Sequence, residues 1–246
     1  SHFMAKEIHE QPEVVGHTLA HYIDATGPVV SLREKGAMEA LAKASRLMIS
    51  ACGTSYYAAL VGKYWFEKFA RLGVEVDVAS ELRYRDPVYP KDGVALFISQ
   101  SGETADTLAA LRDAKAQGQT TIAIVNVVES SIAREADVVL PTFAGPEIGV
   151  ASTKAFTCQL AVLASLAIAA GRARKIVNAE QEAKLCTSLL ETPRHMVEFA
   201  KQDAKVKALG AELAKARDVL YLGRGVNYPL AMEGALKLKE ISYIHA

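Results

Sequence analysis

The feature that most constrains the fold of this chain is a regular alternation of short apolar runs with amphipathic stretches of helical period. The apolar runs predict strands at residues 46–51, 74–78, 94–98, 120–125 and 137–140. Between them, helical spacing predicts helices at residues 36–43, 54–71, 80–84 and 104–116, followed by a long helix, hydrophobic almost all round, at residues 151–170. Wholly apolar strands are typical of a sheet covered on both faces, and alternation with helices predicts parallel strands with right-handed crossovers. We therefore expect an α/β fold with a doubly wound parallel sheet flanked by helices, and ligands at the carboxyl ends of its strands.

The remaining segments predict the domain organisation. Residues 4–23 have helical spacing that Gly27 and Pro28 interrupt, which predicts an outer or interdomain helix. Charged helices at residues 179–200 and 205–214 lead to an apolar run at 219–222 that enters a glycine turn, as the first strand does. We expect an N-terminal helix and junction (1–30), one complete α/β unit (31–172), connecting helices (173–216) and the opening of a second, truncated unit (217–246).

Charge and cysteine content exclude several classes of protein. The 28 basic and 28 acidic side chains cancel, so the charge excess of a nucleic-acid-binding protein is absent. Three cysteines without CxxC spacing suggest neither a disulfide framework nor a zinc site. The apolar stretch at residues 159–170 is too short to span a bilayer, and the N-terminus does not resemble a signal peptide. We expect a cytoplasmic protein with no nucleic-acid, membrane or metal partner.

The clearest candidate site lies between the third predicted strand and its following helix, where Ser99, Gln100, Ser101, Gly102 and Thr104 stand close together. A helix start presents backbone N–H groups without partners and positive dipole charge, and hydroxyls add further donors. This arrangement suits a phosphate group. The alternative is that Ser101 or Thr104 only caps the helix and that Gly102 only makes the turn.

A second hydroxyl-rich segment follows the first predicted strand and contains Cys52, Gly53, Thr54 and Ser55. Two such strand ends in one parallel sheet would converge on one polar pocket, which favours a sugar phosphate as ligand. Cys52 could be proposed as a nucleophile, but no histidine or asparagine partner can be assigned to it. A buried structural thiol is the preferred interpretation.

Two further segments carry charges. Lys154 follows Ser152 and Thr153 at the start of the long apolar helix, where it could pair with a ligand anion, pair with a carboxylate such as Glu147, or extend to solvent at the helix edge. Near the C-terminus, Glu233, Lys237 and Glu240 share one helix face. The residues alone favour solvent-exposed ion pairs there over a catalytic role.

Taken together, these segments resemble the isomerase half of the glutamine–fructose-6-phosphate aminotransferases, or glucosamine-6-phosphate synthases, which have the sugar isomerase (SIS) fold. The resemblance runs from end to end and is carried by residues 6–8, 10–12, 52–55, 99–107, 147–156, 222–225 and 233–246. The hydroxyl motifs are common to SIS proteins, whereas the last segment is far more specific to these synthases.

The resemblance implies roles for individual residues. A sugar phosphate would be surrounded by Thr54, Ser55, Ser99, Gln100, Ser101 and Thr104, with Val150 and Ser152 on the sugar side. Glu240 would move a proton between C1 and C2 of the open-chain amino sugar, and Lys237 would assist it. The implied reaction converts fructose 6-phosphate and glutamine-derived ammonia into glucosamine 6-phosphate without a metal or organic cofactor. The implied partners are the glutaminase domain of the parent chain and a second copy in a homodimer.

The family's ring-opening histidine and Schiff-base lysine have no match in this sequence, and His245 does not correspond to that histidine. We therefore expect the chain alone to bind ligand but to turn it over poorly. The alternatives are a related SIS aldose–ketose isomerase or amino-sugar-phosphate deaminase, and a non-catalytic sugar-phosphate sensor module.

Overall fold

The structure, a computed structural model, describes residues 2–246 and, within them, every side chain except that of Lys35. Two short strands, β1 (Ile23–Asp24) and β2 (Val29–Val30), form an antiparallel hairpin that the sequence pattern did not predict. The main sheet has five strands: β3 (Leu47–Ala51), β4 (Val74–Val78), β5 (Val94–Ser99), β6 (Thr120–Val125) and β7 (Val138–Pro141). The helices are α1 (Phe3–Tyr22), α2 (Lys35–Lys43), α3 (Gly53–Trp65), α4 (Ala79–Arg85), α5 (Ala105–Ala116), α6 (Ser131–Glu135), α7 (Lys154–Ala173), α8 (Ala179–Leu190), α9 (Thr192–Ala200), α10 (Asp203–Leu213) and α11 (Asn227–Ser242).

All neighbouring strands of the main sheet are parallel, in the order β4-β3-β5-β6-β7. This confirms the predicted doubly wound sheet. The first strand, β3, lies inside the sheet, with Leu47 aligned with Val74 on one side and with Val94 on the other. The chain therefore builds outward in one direction after β3 and in the other from β5 onward. Doubly wound folds bind their ligands at such a reversal of strand order.

Four strands of the main sheet, β3, β5, β6 and β7, contribute side chains to two cores because successive residues point to opposite faces. Ile49 and Leu96 belong to the larger core, which α1, α2, α3 and α7 cover. Met48, one position before Ile49, and Phe97, one position after Leu96, belong to the smaller core beneath α4, α5 and α6. Burial of both faces explains why these four strands are largely apolar, and their parallel direction brings their carboxyl ends to one edge.

The long apolar helix α7 is the central helix of the larger core. By length and composition it could cross a membrane, but 89% of its apolar window is buried inside the protein. It is the one helix of the described chain with this composition. Its burial against α1 and α3 identifies it as a core helix of the domain.

Several predictions about the C-terminal half were wrong in detail. Residues 219–222 do not form a strand: Leu220 and Leu222 are 87% and 89% exposed, and the nearest pairing is an isolated bridge between Asp218 and His245. A strand needs a neighbour for its N–H and C=O groups, and no other strand of the described chain lies beside this segment. The predicted helix at 179–200 is divided into α8 and α9, because Pro193 lacks an N–H and stands in the first turn of a new helix.

Two further differences occur near the sheet. The predicted helix at 54–71 ends in a π-helical turn, Phe66–Ala70, which Arg71 closes with a positive φ of 49°. The short helix α6 was not predicted, although Ser130 caps it by accepting a hydrogen bond from the N–H of Ala133. The predicted outer helix α1 contributes Leu19 and Tyr22 to the larger core.

Candidate functional site

A polar cavity of about 290 Å³ opens at the carboxyl edge of the sheet, between the ends of β3 and β5. Its walls come from the start of α3, the β5–α5 loop (residues 100–104), the β7–α7 loop (residues 142–153) and α11. It is lined by Cys52, Thr54, Ser55, Ile98, Ser99, Gln100, Ser101, Thr104, Glu147, Val150, Ser152, Lys237 and Glu240. All ten residues singled out from the sequence as site residues are in this set. The cavity lies where the strand order reverses.

The β5–α5 loop is held by its own hydroxyl groups. Ser99 Oγ lies 3.0 Å from Thr104 Oγ1 and accepts a hydrogen bond from the N–H of Gly102 at 3.0 Å. Ser101 Oγ accepts from the N–H of Glu103 at 3.2 Å. Thr104 stands at the N-cap position of α5 but its side chain makes no capping hydrogen bond. The first turn of α5 therefore faces the cavity with amide groups that its N-cap side chain does not occupy, as an anion site requires.

Gly102 is required by the shape of this loop. Its φ of +67° is in the left-handed region, and a Cβ at this position would overlap the hydroxyl group of Ser130. The C=O of Gly102 accepts a hydrogen bond from the N–H of Ile132 at 3.0 Å. The unpredicted helix α6 thus supports the loop from behind.

On the opposite wall, α11 places three charged side chains against the start of α3. Lys237 Nζ lies 2.7 Å from Glu240 Oε2 and 3.3 Å from Glu233 Oε1, and it donates to Thr54 Oγ1 at 2.8 Å. Thr54 Oγ1 in turn donates to Glu233 Oε1 at 3.1 Å. The prediction of solvent-exposed ion pairs was wrong, because the side chains of Lys237 and Glu233 are only 17% and 8% exposed.

Glu233 is the most strongly perturbed group at this site. Burial raises the pKa of its carboxyl group, while the neighbouring Lys237 acts in the opposite direction. Its Oε2 atom is buried and has no hydrogen-bond partner among residues 2–246. Lys237 therefore lies between a buried carboxyl group on one side and the more exposed Glu240, which lines the cavity, on the other.

The β7–α7 loop forms the third wall, and Glu147 determines its shape. The Glu147 carboxylate accepts hydrogen bonds from Ser152 Oγ at 2.8 Å and from the N–H groups of Thr153 at 2.8 Å and Ala155 at 3.3 Å. It thereby neutralises the positive end of α7. Glu147 was considered from the sequence only as a partner for Lys154, although a carboxylate shortly before a buried helix was a usable signal.

Lys154 pairs with neither Glu147 nor the cavity. The Lys154 side chain is 4% exposed, and its ammonium group lies 2.8 Å from Glu10 Oε2, on α1. The expected pairing with a carboxylate is therefore confirmed, but with Glu10 in place of Glu147. Lys154 lies neither at the solvent edge nor among the residues that line the cavity. The true partner lies 144 residues away in the chain, beyond the reach of local pattern analysis.

Cys52 lines the cavity and is half-buried, less enclosed than the structural thiol that the sequence suggested. No hydrogen bond joins its thiol to another side chain of the described residues. Within residues 2–246 no group of three or more His, Cys, Asp or Glu side chains could hold a metal ion. The chemistry that the cavity can perform comes from hydroxyls, helix-start amides and the Lys237–Glu240 pair.

Comparison with known proteins gives consistent matches. The SIS domain family matches residues 40–169. The chain is 64% identical over 245 residues to the glutamine–fructose-6-phosphate aminotransferase (isomerizing) of Bradyrhizobium diazoefficiens and 60% identical to that of Mesorhizobium japonicum. All of this chain is covered in both cases, and it spans 40% of the length of these relatives.

Among solved structures, the C-terminal domain of glucosamine-fructose-6-phosphate aminotransferase from Francisella tularensis superposes with a TM-score of 0.96 at 44% identity. The match covers 100% of this chain and 69% of the Francisella tularensis chain. A glucosamine-6-phosphate deaminase from Thermotoga maritima superposes with a TM-score of 0.75 at 23% identity. The match covers 99% of this chain and 68% of the deaminase chain, and it shows a shared fold.

Proposed function

This chain belongs to the SIS domain family, and within it to the group that forms the C-terminal domain of glucosamine-fructose-6-phosphate aminotransferases; from that membership we propose that it is the sugar-phosphate isomerase part of such an enzyme. The proposed substrate is fructose 6-phosphate, and the proposed product, after amination, is glucosamine 6-phosphate. The observation that carries the proposal is one cavity in which two opposite walls have different chemistry: neutral hydroxyls and amides on one, and a lysine–carboxylate pair on the other.

The β5–α5 loop is the proposed phosphate site. Ser99, Ser101 and Thr104 bring hydroxyl groups to the start of α5, whose N–H groups and dipole favour an anion. Thr54, Ser55 and Gln100 line the same wall and would donate to phosphate or sugar oxygens. Val150 and Ser152, on the β7–α7 loop, would bound the sugar.

Glu240 is the proposed base for the isomerisation. Ammonia adds to C2 of open-chain fructose 6-phosphate with loss of water, which gives an imine at C2. Glu240 then takes a proton from C1 and returns it to C2, while the hydroxyl proton of C1 moves to the nitrogen; the product has an aldehyde at C1 and an amine at C2. Lys237, 2.7 Å from Glu240, would stabilise negative charge on the enediol-like intermediate.

The partners of this reaction follow from the same proposal. Ammonia would come from glutamine through a glutaminase domain of the parent protein, and a second copy of the chain would form a homodimer. We place the protein in the cytoplasm. The assignment of glutamine as the ammonia source is supported by the glutamine–fructose-6-phosphate aminotransferases that the chain resembles, of which it spans 40%.

Calorimetric titration with fructose 6-phosphate and glucosamine 6-phosphate tests the proposal. The wild-type chain should bind both saturably, and the Ser101→Ala, Thr104→Ala double variant should lose at least about tenfold in affinity, because two donors to a charged group are removed. A Thr187→Ala, Ser188→Ala double variant, which removes the same two hydroxyls from an exposed face of α8, is the matched control. A folded wild-type chain that binds neither sugar phosphate would refute the ligand assignment.

A further inference from the structure

The N-terminal helix α1 contacts the β7–α7 loop and its borders at points spread along the whole segment. Near the C-terminal end of α1, Tyr22 donates to the C=O of Pro141 at 2.7 Å and Thr18 Oγ1 accepts from the N–H of Phe143 at 3.2 Å. Near its N-terminal end, Glu7 accepts from the N–H groups of Ile148 and Gly149, and Glu10 pairs with Lys154. One helix therefore fixes both ends and the middle of the loop.

Glu7 makes the most specific of these contacts. Its Oε1 atom lies 2.6 Å from the N of Ile148 and 3.1 Å from the N of Gly149, and its Oε2 atom lies 3.1 Å from the latter. The residue is 3% exposed. A buried carboxylate is costly unless hydrogen bonds satisfy it, so two backbone N–H groups of the loop and the Glu7 carboxylate depend on each other.

The backbone is shaped for this contact at Gly149. A Cβ there would stand 2.5 Å from Glu7 Oε2 and 3.3 Å from the Cα of Met4. Only glycine lets the loop come this close to α1 while the carboxylate keeps both hydrogen bonds. The next residue in the chain, Val150, lines the cavity, and so does Ser152, two positions further on.

We propose that Glu7 is a positioning residue for the sugar end of the site: its carboxylate fixes the backbone of residues 148–149, and thereby the placement of Val150 and Ser152, while the Glu10–Lys154 pair fixes the end of the loop at α7. The inference rests on the proposed function and extends it to a helix that does not itself line the cavity. The phosphate end of the site is independent of α1 itself, because Ser99 and α6 hold the β5–α5 loop. Its link to the β7–α7 loop runs through Asn126, which hydrogen-bonds to Gln100 and residues 142–145, away from the Glu7 contact.

This independence gives the inference a specific signature. Loss of the Glu7 carboxylate should weaken binding of the sugar part of a ligand and leave binding of inorganic phosphate unchanged. A purely structural role in stabilising the domain would weaken both ligands together, or neither. The ratio of the two dissociation constants is therefore the decisive quantity.

The experiment compares Glu7→Gln with Glu13→Gln in the same chain, because Glu13 is an exposed carboxylate on the same helix. Calorimetry with fructose 6-phosphate and, separately, inorganic phosphate should show for Glu7→Gln an increase of about tenfold in the Kd for fructose 6-phosphate and a change within about twofold for phosphate. Glu13→Gln should match wild type with both ligands. The charge is lost in both variants at nearly constant volume.

Gly149→Ala is the second variant, for use if Glu7→Gln does not fold. It keeps Glu7 but pushes its carboxylate away, and it should show the same selective loss of fructose 6-phosphate binding. Unchanged fructose 6-phosphate binding in a folded Glu7→Gln variant would overturn the inference and leave the proposed function intact, as would an equal loss for both ligands. Absence of fructose 6-phosphate binding by the wild-type chain would instead overturn the proposed function, and the inference with it.

Discussion

The ammonium group of Lys237 donates a hydrogen bond to the hydroxyl of Thr54 across 2.8 Å, although 183 residues separate the two in the chain. The same lysine contacts Glu233 and Glu240 on its own helix. Thr54 lies in the first turn of α3, directly after the end of β3, so this contact connects α11 to the edge where the cavity opens. Lys237 and Glu233 on α11 therefore lie largely inside the domain, while Lys237 and Glu240 also line the cavity.

Replacing Lys237 by methionine should lower the free energy of unfolding by about 2–3 kcal/mol, because Glu233 would be left buried without its cation. The matched control is Lys239→Met, which removes an exposed lysine from the same helix and should change stability by less than about 0.5 kcal/mol. Urea denaturation followed by circular dichroism measures both values. Equal effects of the two variants would show that Lys237 does not stabilise the packing of α11.

Stability should depend on pH through Glu233. Burial raises the pKa of this carboxyl group above its ordinary value of 4.5, so the folded state holds the proton more tightly than the unfolded state. Its favourable contribution is fully present below the unfolded pKa and is lost as the pH rises through the folded pKa. Glu233→Gln, which cannot ionise, should therefore gain in Tm relative to wild type as the pH rises from about 4 to about 8.

Thermal unfolding at a series of pH values measures this difference. Glu81→Gln, an exposed glutamate on α4, is the control and should track wild type throughout. A difference in Tm between Glu233→Gln and wild type that is constant over the whole range would contradict a raised pKa.

Gly102→Ala should lower the free energy of unfolding by about 2–4 kcal/mol and abolish binding of fructose 6-phosphate, because a left-handed φ and an overlap with Ser130 both oppose the side chain. Gly118 has a similar φ of +79° but open space around its Cβ position. Gly118→Ala should cost only about 1 kcal/mol and leave binding unchanged. Denaturation and calorimetry separate the two effects, and full binding by Gly102→Ala would refute the assigned role of this loop.

The strands of the main sheet were predicted within one or two residues because burial on both faces leaves a strong apolar signal, as in Leu47 to Ala51. The β1–β2 hairpin has two-residue strands, too short for any periodic signal. Residues 219–222 have the same apolar composition as a true strand, and only the absence of a neighbouring strand in the described chain separates them from one. Local sequence cannot report that difference.

The candidate site likewise has some features that local sequence predicts and others that depend on packing between distant segments. Hydroxyls at two strand ends could be predicted to converge, because parallel strands share one carboxyl edge. The choice between exposed ion pairs and an enclosed group at Lys237 depended on how α11 packs against α3. The pairing of Lys154 with Glu10 and the contact of Glu7 with the β7–α7 loop likewise join distant segments. In the sequence, these charged residues give no sign of which distant segment they contact.

The packing of α11 against α3 also sets an order of assembly during protein synthesis. The β5–α5 loop, with its internal hydrogen bonds, can take shape once the strands on either side of it have left the ribosome. Lys237 follows Val125, the last residue of β6, by 112 residues, which at roughly 5–20 residues per second is a delay of roughly 5–20 seconds. During that interval the nascent chain presents the proposed phosphate loop without its charged wall, so under the proposed function the capacity to hold a ligand arises before the capacity to transform it.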